Sequence, residues 1–375
     1  MDDIQTESID LMVTSPPYPM VEMWDGVFTN QNPKILKALK SSDGATAFEL
    51  MHQILDRVWD EIWRVLKPGA VACINIGDAT RTIHSRFSLF ANHTRIQSHM
   101  LRLGFSALPC ILWRKQTNAP NKFMGSGMLP PGAYVTLEHE YILIFRKGNK
   151  KLFTSSEEKQ IRRESAYFWE ERNQWFSDVW MELKGTRQEL SDNKTRDRNA
   201  AFPFELAYRL ICMFSVKHDR VLDPFLGIGT SMVAAMAAAR NFFGFDIDPS
   251  LKSIIFSRLE NIVEFSNRKI ENRLQNHLHF VENRIKEKGP FKHVNQHYGF
   301  HVMTSQEKDL MLNSPQSLEK IGETIFKVIY SDSPQEKFIY DKDQNIADKA
   351  KADTIFLQKQ GQRKLSHCQI KLFDN

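Results

Sequence analysis

The pattern of apolar and polar residues changes its period several times along the first 150 positions. Residues 9–14, IDLMVT, form a largely apolar run of strand length and predict a buried strand. Residues 48–66 carry apolar side chains at helical spacing, and Lys67-Pro68-Gly69 ends the predicted helix. The apolar segment AVACINIG that follows predicts the next strand.

The alternation of helices and strands continues to about residue 250. A helix is predicted over about 88–103, and the segments FSALPCILWRK and EHEYILIFRK predict two further strands. A helix is also predicted over 202–216, and DRVLDPFLGIGTSMVAAMAAARNFFGFDID then predicts a strand, a glycine turn, a helix and a strand. Strands that alternate with helices favour an α/β fold with a parallel sheet.

Two parts of the chain depart from this pattern. Residues 151–199 mix basic, acidic and aromatic side chains without a sustained period, which predicts an inserted subdomain with a surface role. Beyond about residue 265 the chain becomes polar and lysine-rich, and its periodicity weakens. The sequence contains no visible internal repeat.

Composition narrows the class of protein. No run of 18 apolar residues and no basic-then-apolar leader is visible, so we expect no membrane segment and a cytoplasmic protein. The net charge of +5 permits an anionic partner without requiring one. Five histidines fall between 277 and 301, but no catalytic HExxH pattern occurs, so no metal site is predicted. Four widely spaced cysteines predict reduced thiols: Cys73, Cys110, Cys212 and Cys368.

The segment VLDPFLGIGTS, residues 221–231, stands where a nucleotide-binding turn belongs, between a strand and a helix. Met232 replaces the third glycine of a dinucleotide fingerprint, and no P-loop lysine follows. Asp246 closes the next strand, where a carboxylate can accept hydrogen bonds from a ribose. These features suit a nucleoside cofactor without phosphates, such as S-adenosylmethionine; the alternative is a tight turn without a ligand.

The first predicted strand ends in Thr14-Ser15, two prolines and a tyrosine. The Ser15 hydroxyl and the Pro16 carbonyl can accept hydrogen bonds, and Tyr18 offers a flat stacking face. Accepting the hydrogens of an exocyclic aromatic amine makes its nitrogen nucleophilic, so a methyl group could transfer directly by positioning and oriented dipoles. The alternative is a proline turn that only ends a strand.

The order TSPPY, then DPFLGIGTS, resembles the amino-methylating DNA methyltransferases of the permuted beta arrangement. RVLKPGAVACINIGDA, RNAAFPFELAYRLI and GFDID are similar to further motifs of this family, so the resemblance spans most of residues 9–260. The serine before the proline pair is similar to the cytosine-N4 subgroup. The resemblance implies a Rossmann-like, S-adenosylmethionine-dependent sheet with circularly permuted motif order, an inserted target-recognition region and a polar C-terminal extension.

This resemblance also implies domain boundaries. They are a catalytic half at 1–150, a target-recognition insert at 151–197, a cofactor-binding half at 198–265 and a C-terminal extension at 266–375.

The resemblance further implies a role for each matching residue. Asp78 is a second candidate acceptor near the amine, with a helix-capping carboxylate as the alternative. The implied catalytic residues are Ser15, Pro16, Pro17, Tyr18 and Asp78. The implied cofactor-binding residues are Phe202, Pro203, Asp223, Pro224, Phe225, Gly227, Gly229, Thr230 and Asp246. The candidate DNA-binding residues are Arg162, Arg163, Lys184, Arg187, Lys194, Arg196 and Arg198.

One feature of the sequence departs from the family pattern. Relatives often carry a Gly-Asp strand upstream of the catalytic motif, and only eight residues precede Ile9 here. Either the coded start lies too far downstream, or HLHFV at 277–281 supplies that strand from the C-terminal side.

The implied function is site-specific methylation of cytosine N4 in double-stranded DNA, with the base flipped out of the helix. A cognate restriction endonuclease and a homodimer are implied as partners. Adenine N6, an RNA or protein amine, and a non-enzymatic nucleic-acid-binding role remain as alternatives.

Overall fold

The chain forms two compact units whose segments interleave along the sequence. The computed structural model describes residues 1, 3–115, 129–132, 134–183, 202–289, 291–339 and 367–374. The first unit comprises Met1–Lys151, Ser177–Leu210 and Leu222–Ser231. The second unit comprises Leu152–Phe176, Ile211–Val221 and Met232–Asn375.

The first unit contains helices, strands of the main sheet and a separate two-stranded sheet formed by its third and fourth strands. Its strands are β1 (Ile9–Thr14), β2 (Leu66–Ile76), β3 (Ala79–Ile83), β4 (Arg86–Phe90), β5 (Phe105–Arg114), β6 (His139–Lys147) and β7 (Val179–Trp180). Its helices are α1 (Asp25–Gln31), α2 (Pro33–Lys40), α3 (Gly44–Val65) and α4 (Asn92–Arg102).

The sheet of the first unit is mixed, so the prediction of a parallel sheet is wrong. β1 pairs with β2 in parallel, with Thr14 opposite Ile74. β6 runs antiparallel to both β2 and β5, and β7 is parallel to β5. A continuous apolar run is typical of a parallel strand, but β6 is buried without alternation over residues 142–145 and is antiparallel, so burial on both faces does not by itself fix strand direction.

Helix α3 supplies one buried face of this unit. Asp43 accepts a hydrogen bond from the backbone N–H of Thr46 at 3.0 Å and caps the start of the helix. Met51, Trp59 and Ile62 are fully buried, as the apolar spacing predicts. The helix ends at Val65 and passes directly into β2, so the predicted helix at 48–66 is confirmed.

The predicted helix at 88–103 starts later than expected. Residues 79–90 form a β3–β4 hairpin, and helix α4 begins at Asn92. His84 and Ser85 both have positive φ angles, of 51° and 64°, at the turn of the hairpin. Two such residues in succession match the twist of a two-residue hairpin turn, a preference that helical periodicity does not reveal.

Three elements each have residues in both units, because a unit boundary falls within them. They are α7 (Phe204–Phe214), β8 (Arg220–Asp223) and α8 (Thr230–Ala237). These elements and the strand after them confirm the predicted order of helix, strand, glycine turn, helix and strand.

The second unit contains the remaining elements. Its helices are α5 (Ser156–Glu164), α6 (Trp169–Trp175), α9 (Lys252–Glu260) and α10 (Ile262–Lys288). Its strands are β9 (Asn241–Asp246), β10 (His293–Val294), β11 (His301–Val302), β12 (Pro315–Lys320), β13 (Ile325–Tyr330) and β14 (His367–Asp374).

Residues 277–281 lie inside helix α10, so the proposal that they form a strand is wrong. Strand β14 is the parallel neighbour of β9 in the second unit, with Asp374 opposite Asp246 in the register. β14 also pairs with β13 in the antiparallel sense. A short apolar run such as 277–281 suits either a strand or a buried helix face, and the length of α10 decides for the helix.

Two aromatic residues of segment 152–176, Phe168 and Trp175, are buried in the second unit. Phe168 and Tyr298 are fully buried in one cluster with Leu274 of α10. Arg273 of α10 donates two hydrogen bonds of 2.6 Å to the carboxylate of Glu171. Segment 152–176 therefore packs against the C-terminal region and is not solely a charged surface.

No helix among the described residues is long and apolar enough to cross a membrane. None of the four cysteines is in a disulfide, and burial raises the pKa of the Cys368 thiol to about 12.

Candidate active site

The catalytic-loop candidate and the glycine loop are joined by a buried hydrogen bond in the first unit. The hydroxyl of Thr14, the last residue of β1, donates to Oδ1 of Asp223 at the end of β8, at 2.5 Å. Both side chains are buried. The motif that begins at Ser15 and the loop that follows Asp223 therefore start from two strand ends that contact each other.

Asp223 also shapes the glycine loop itself. Its Oδ1 accepts from the backbone N–H of Phe225 at 3.0 Å, and its Oδ2 accepts from the hydroxyl of Ser231. Gly227 and Gly229 have φ angles of +54° and +80°, which favour glycine because it has no Cβ. These contacts hold the turn between β8 and α8 in one conformation.

The glycine loop fits a ligand that contacts its backbone. A Cβ built on Gly227 would meet nothing closer than the carbonyl oxygen of Phe225, at 4.0 Å. The Phe225 ring lies edge-on to Trp59, with centroids 5.9 Å apart. The absence of a P-loop lysine from the sequence of the loop makes the donor set more suitable for a nucleoside than for a polyphosphate.

Tyr18 lies in a cluster of polar side chains beside Ser15. Its hydroxyl is 2.9 Å from Oε2 of Glu140 and accepts from Nδ2 of Asn75 at 2.8 Å. The Ser15 hydroxyl donates to the Tyr18 oxygen at 3.2 Å. Burial, followed by the charge of Glu140, raises the pKa of Tyr18 well above its ordinary value.

The Tyr18 ring rests on Gly77 at the end of β2. A Cβ on Gly77 would lie 2.9 Å from Cε2 of that ring, so only glycine allows this approach. The predicted stacking of Tyr18 on a target base stays a prediction.

Asp78 contacts the start of helix α4. Its Oδ1 accepts from the backbone N–H of His93 at 3.1 Å, and both its oxygens lie 2.8 Å from Nδ1 of the same histidine. Asp78 thus accepts from a backbone N–H in the first turn of α4, whose N-cap residue is Ala91. Its role as an acceptor for the target amine stays a prediction.

The remaining cofactor candidates lie in two places. Phe202 is buried, and the carbonyl of Pro203 accepts from the N–H of Leu206 in the first turn of α7. Asp246 ends β9 in the second unit, half-buried, and its Oδ1 accepts from the backbone N–H of Asp248 at 2.9 Å. The candidates Pro16, Pro17 and Pro224 lie within the two loops already described, and Thr230 is the first residue of α8.

Two of the DNA-binding candidates lie in the described part of the chain. Arg162 and Arg163 are exposed on α5 of the second unit. Arg162 lies over the ring of Phe153, and Nε of Arg163 forms an ion pair of 2.9 Å with Asp309. Lys184, Arg187, Lys194, Arg196 and Arg198 lie outside the described residues.

Sequence reasoning missed the polar residues that contact the loop beginning at Ser15. Asn92 donates to the carbonyl oxygens of Pro19 at 3.1 Å and Gly77 at 2.9 Å, and its Oδ1 is 3.0 Å from Nε2 of the fully buried His52. Burial lowers the pKa of His52 to about 4. A polar residue within or beside an apolar strand, such as Asn75 or Glu140, is the signal that could have identified this group.

Comparisons with known proteins agree with this architecture. The sequence profile of a family described as DNA methylase matches residues 9–257. The type II methyltransferase M.MthZI of Methanothermobacter thermautotrophicus is 51% identical over 333 residues, which cover 88% of this chain and 92% of that protein. The type II methyltransferase M.MjaI of Methanocaldococcus jannaschii is 49% identical over 270 residues, which cover 69% of this chain and 88% of that protein.

A solved structure shares the fold. The protein TTHA0409 of Thermus thermophilus, in complex with S-adenosyl-L-methionine, is 29% identical and superposes with a TM-score of 0.53. The match covers 70% of this chain and 88% of that one.

Proposed function

The chain belongs to the DNA methylase family, and we propose that it transfers a methyl group from S-adenosylmethionine to the exocyclic N4 amine of cytosine in duplex DNA. The observation that carries this proposal is the hydrogen bond between Thr14 and Asp223, which joins the start of the SPPY motif to the glycine loop.

The cofactor is S-adenosylmethionine, which supplies a methyl group activated by a positively charged sulfur. The room beside the Cα of Gly227, together with the positive φ angles of Gly227 and Gly229, supports binding of its nucleoside part. Asp246, at the carboxyl end of β9, suits a ribose, because ligands of α/β sheets bind at the carboxyl ends of strands. Phe202 and Pro203 are proposed to line the methionine end.

The SPPY motif provides the acceptors that an aromatic amine requires. The Ser15 hydroxyl and the Pro16 carbonyl would accept the hydrogens of the amine, which frees the nitrogen lone pair from the ring. Positioning and oriented dipoles then account for most of the rate acceleration. Tyr18 is proposed to stack on the flipped base, and flipping costs roughly a few kcal/mol.

Serine before the proline pair favours cytosine as the target, because the resemblance to the N4 subgroup depends on this residue. Adenine N6 is the second candidate, since the same acceptors also suit its amine. Arg162 and Arg163 are proposed to contact DNA phosphates or guanine edges.

The names of the two archaeal relatives, both type II methyltransferases, support a role in a restriction–modification system. A cognate restriction endonuclease that recognises the same site and a homodimeric assembly are proposed on the same basis.

Incubation with labelled S-adenosylmethionine and duplex DNA, followed by nucleoside analysis, tests the proposal. Label in N4-methylcytosine is the expected result. Label in N6-methyladenine would keep the enzyme class and change the target base. Label on RNA or protein, with DNA unlabelled, would overturn the proposed substrate.

A further inference from the structure

A cluster of polar side chains beneath the catalytic loop has a defined direction of hydrogen bonding. It consists of Ser15 and Tyr18 of the loop, Asn75 of β2, Glu140 of β6 and Lys115 just after β5. All five belong to the first unit. The Asn75 residue is 1% exposed, whereas the side chain of Glu140 is 12% and that of Lys115 46% exposed, so the cluster extends from the interior to the surface.

Glu140 is the acceptor at the centre of this cluster. Its Oε2 lies 2.9 Å from the Tyr18 hydroxyl and 2.7 Å from Nδ2 of Asn75, and its Oε1 forms an ion pair of 2.9 Å with Lys115. An ionised carboxylate only accepts hydrogen bonds, so the Tyr18 hydroxyl must donate its single proton to Glu140.

Because Glu140 fixes the direction of the Tyr18 hydrogen bond, it also fixes the direction of the hydrogen bond between Tyr18 and Ser15. Once the Tyr18 proton points to Glu140, the Tyr18 oxygen can only accept, and it receives hydrogen bonds from Asn75 at 2.8 Å and Ser15 at 3.2 Å. The Ser15 hydroxyl therefore donates its only proton to the Tyr18 oxygen. Its remaining lone pairs are left to accept from a substrate.

We propose that Glu140 is a positioning residue that, through the Tyr18 hydroxyl, fixes Ser15 as a hydrogen-bond acceptor toward the target amine. Without this constraint the serine hydroxyl can rotate and present its proton to the amine. A donor at that position would leave the lone pair of the amine in the ring. This inference rests on the proposed function of Ser15 and adds the residue that makes the hydroxyl suitable for it.

The substitution Glu140→Gln tests the proposal, because glutamine keeps the volume and can donate its N–H to Tyr18. Reversal of the Tyr18 hydrogen bond would turn its proton toward Ser15. We expect turnover to fall by about tenfold or more, with the cofactor dissociation constant and the melting temperature unchanged. Glu138→Gln is the matched control, because Glu138 pairs with Arg114 and lies outside the cluster; it should leave turnover unchanged.

A double-substitution cycle separates this role from simple packing. Tyr18→Phe removes the hydroxyl through which Glu140 is proposed to act, so Glu140→Gln should have no further effect in that background. An equal loss from Glu140→Gln in both backgrounds would overturn the proposal.

A second measurement does not depend on activity. In protein labelled at tyrosine Cζ, the NMR resonance that disappears in Tyr18→Phe identifies Tyr18. We expect this resonance to shift in Glu140→Gln and to stay in place in Glu138→Gln; an unmoved resonance in Glu140→Gln would overturn the inference. A wild-type protein that methylates no DNA would instead contradict the proposed function, and the NMR result would still test the contact between Glu140 and the Tyr18 hydroxyl.

Discussion

Thr14 and Asp223 lie 209 positions apart in the sequence, and their side chains share a hydrogen bond of 2.5 Å. Thr14 directly precedes the SPPY motif, and Asp223 directly precedes the glycine loop. A bond to a buried carboxylate is among the stronger hydrogen bonds in proteins. This contact fixes the spacing between the two loops on which the proposed reaction depends.

Thr14→Val should test this link, because valine has the shape of threonine without the hydroxyl. We expect the free energy of unfolding to fall by about 1–3 kcal/mol, the cost of removing a buried partner of a charged group. Cofactor affinity should fall as well, since Asp223 also holds the backbone of Phe225. Denaturant unfolding and calorimetric titration measure the two effects. Thr14→Ser keeps the hydroxyl and should retain most of the stability and most of the cofactor affinity. Equal losses of stability and affinity in Thr14→Val and Thr14→Ser would contradict the role of the hydroxyl.

Ser15→Ala should lower turnover much more than cofactor affinity, because the hydroxyl is proposed to act on the amine. Removal of one oriented polar group from an active site costs on the order of 10²-fold in rate. Single-turnover methylation and equilibrium binding of S-adenosylmethionine provide the comparison. A parallel loss of cofactor binding would assign Ser15 to the cofactor instead.

Gly77→Ala should displace the Tyr18 ring, since the new methyl group would lie 2.9 Å from Cε2 and 3.4 Å from Cγ of Glu140. The ring is held at its hydroxyl by Glu140 and Asn75, so it cannot move away without loss of those bonds. We expect turnover to fall by about tenfold or more, because small displacements of reacting groups have large effects on rate.

Gly26→Ala is the control for this substitution. A Cβ on Gly26 meets nothing within 4 Å, and the residue lies in helix α1. It should stabilise the protein by up to about 1 kcal/mol through helix propensity and leave turnover unchanged. Normal turnover in Gly77→Ala would mean that the position of the Tyr18 ring does not limit the reaction.

Asp246→Ala should raise the cofactor dissociation constant if this carboxylate holds the ribose. The loss of a charged hydrogen-bond acceptor corresponds to about 1.5–3 kcal/mol, or roughly tenfold to hundredfold in affinity. Asp248→Ala is the matched control, because Asp248 caps the short turn at Pro249–Leu251 through the N–H of Ser250. Equal dissociation constants for wild type and Asp246→Ala would place the ribose elsewhere.

Stability should depend on pH through His52. Burial lowers the pKa of His52 from 6.5 to about 4, so the unfolded chain binds a proton between these values while the folded chain does not. The free energy of unfolding should therefore decrease as the pH falls from 6.5 to 4, by about 3 kcal/mol from this group.

His52→Gln isolates this contribution, because glutamine can still donate to Asn92 and does not titrate. Urea unfolding from pH 7 to pH 4 measures the free energy of unfolding of the wild type and the variant. The difference between these two free energies should become smaller as the pH falls. A constant difference across this range would show that His52 titrates alike in both states.

The sequence predicted those parts of the fold and site that depend on local pattern. Strand β1 and the turn between β8 and α8 follow from apolar runs bounded by prolines or glycines, which constrain the backbone within a few residues. The neighbours of these elements depend on contacts between distant positions. Glu140 of β6 lies 122 positions from Tyr18 in the sequence. The apolar pattern of β6 does not indicate that the Glu140 carboxylate contacts the Tyr18 hydroxyl.

The pairing of strand β14 is a second feature that local sequence pattern does not predict. Its pairing with β9 joins residues about 130 positions apart, between Ile370 and Phe242 for example. Apolar pattern alone offered 277–281 as one of two possible sources of the upstream strand, because a buried helix face and a strand share short apolar runs. The length of α10, which continues for 27 residues through this run, identifies it as helix.

The interleaving of the two units has a consequence for how such a protein can be divided or recombined. The chain passes from one unit to the other at residues 151–152, 176–177, 210–211, 221–222 and 231–232. No single cut yields either unit intact, and a cassette swap at 151–197 would remove Phe168 and Glu171 from the interior of the second unit. Small substitutions on the surface of 152–176 should therefore leave the fold intact, whereas transplantation of the whole segment should unfold the second unit.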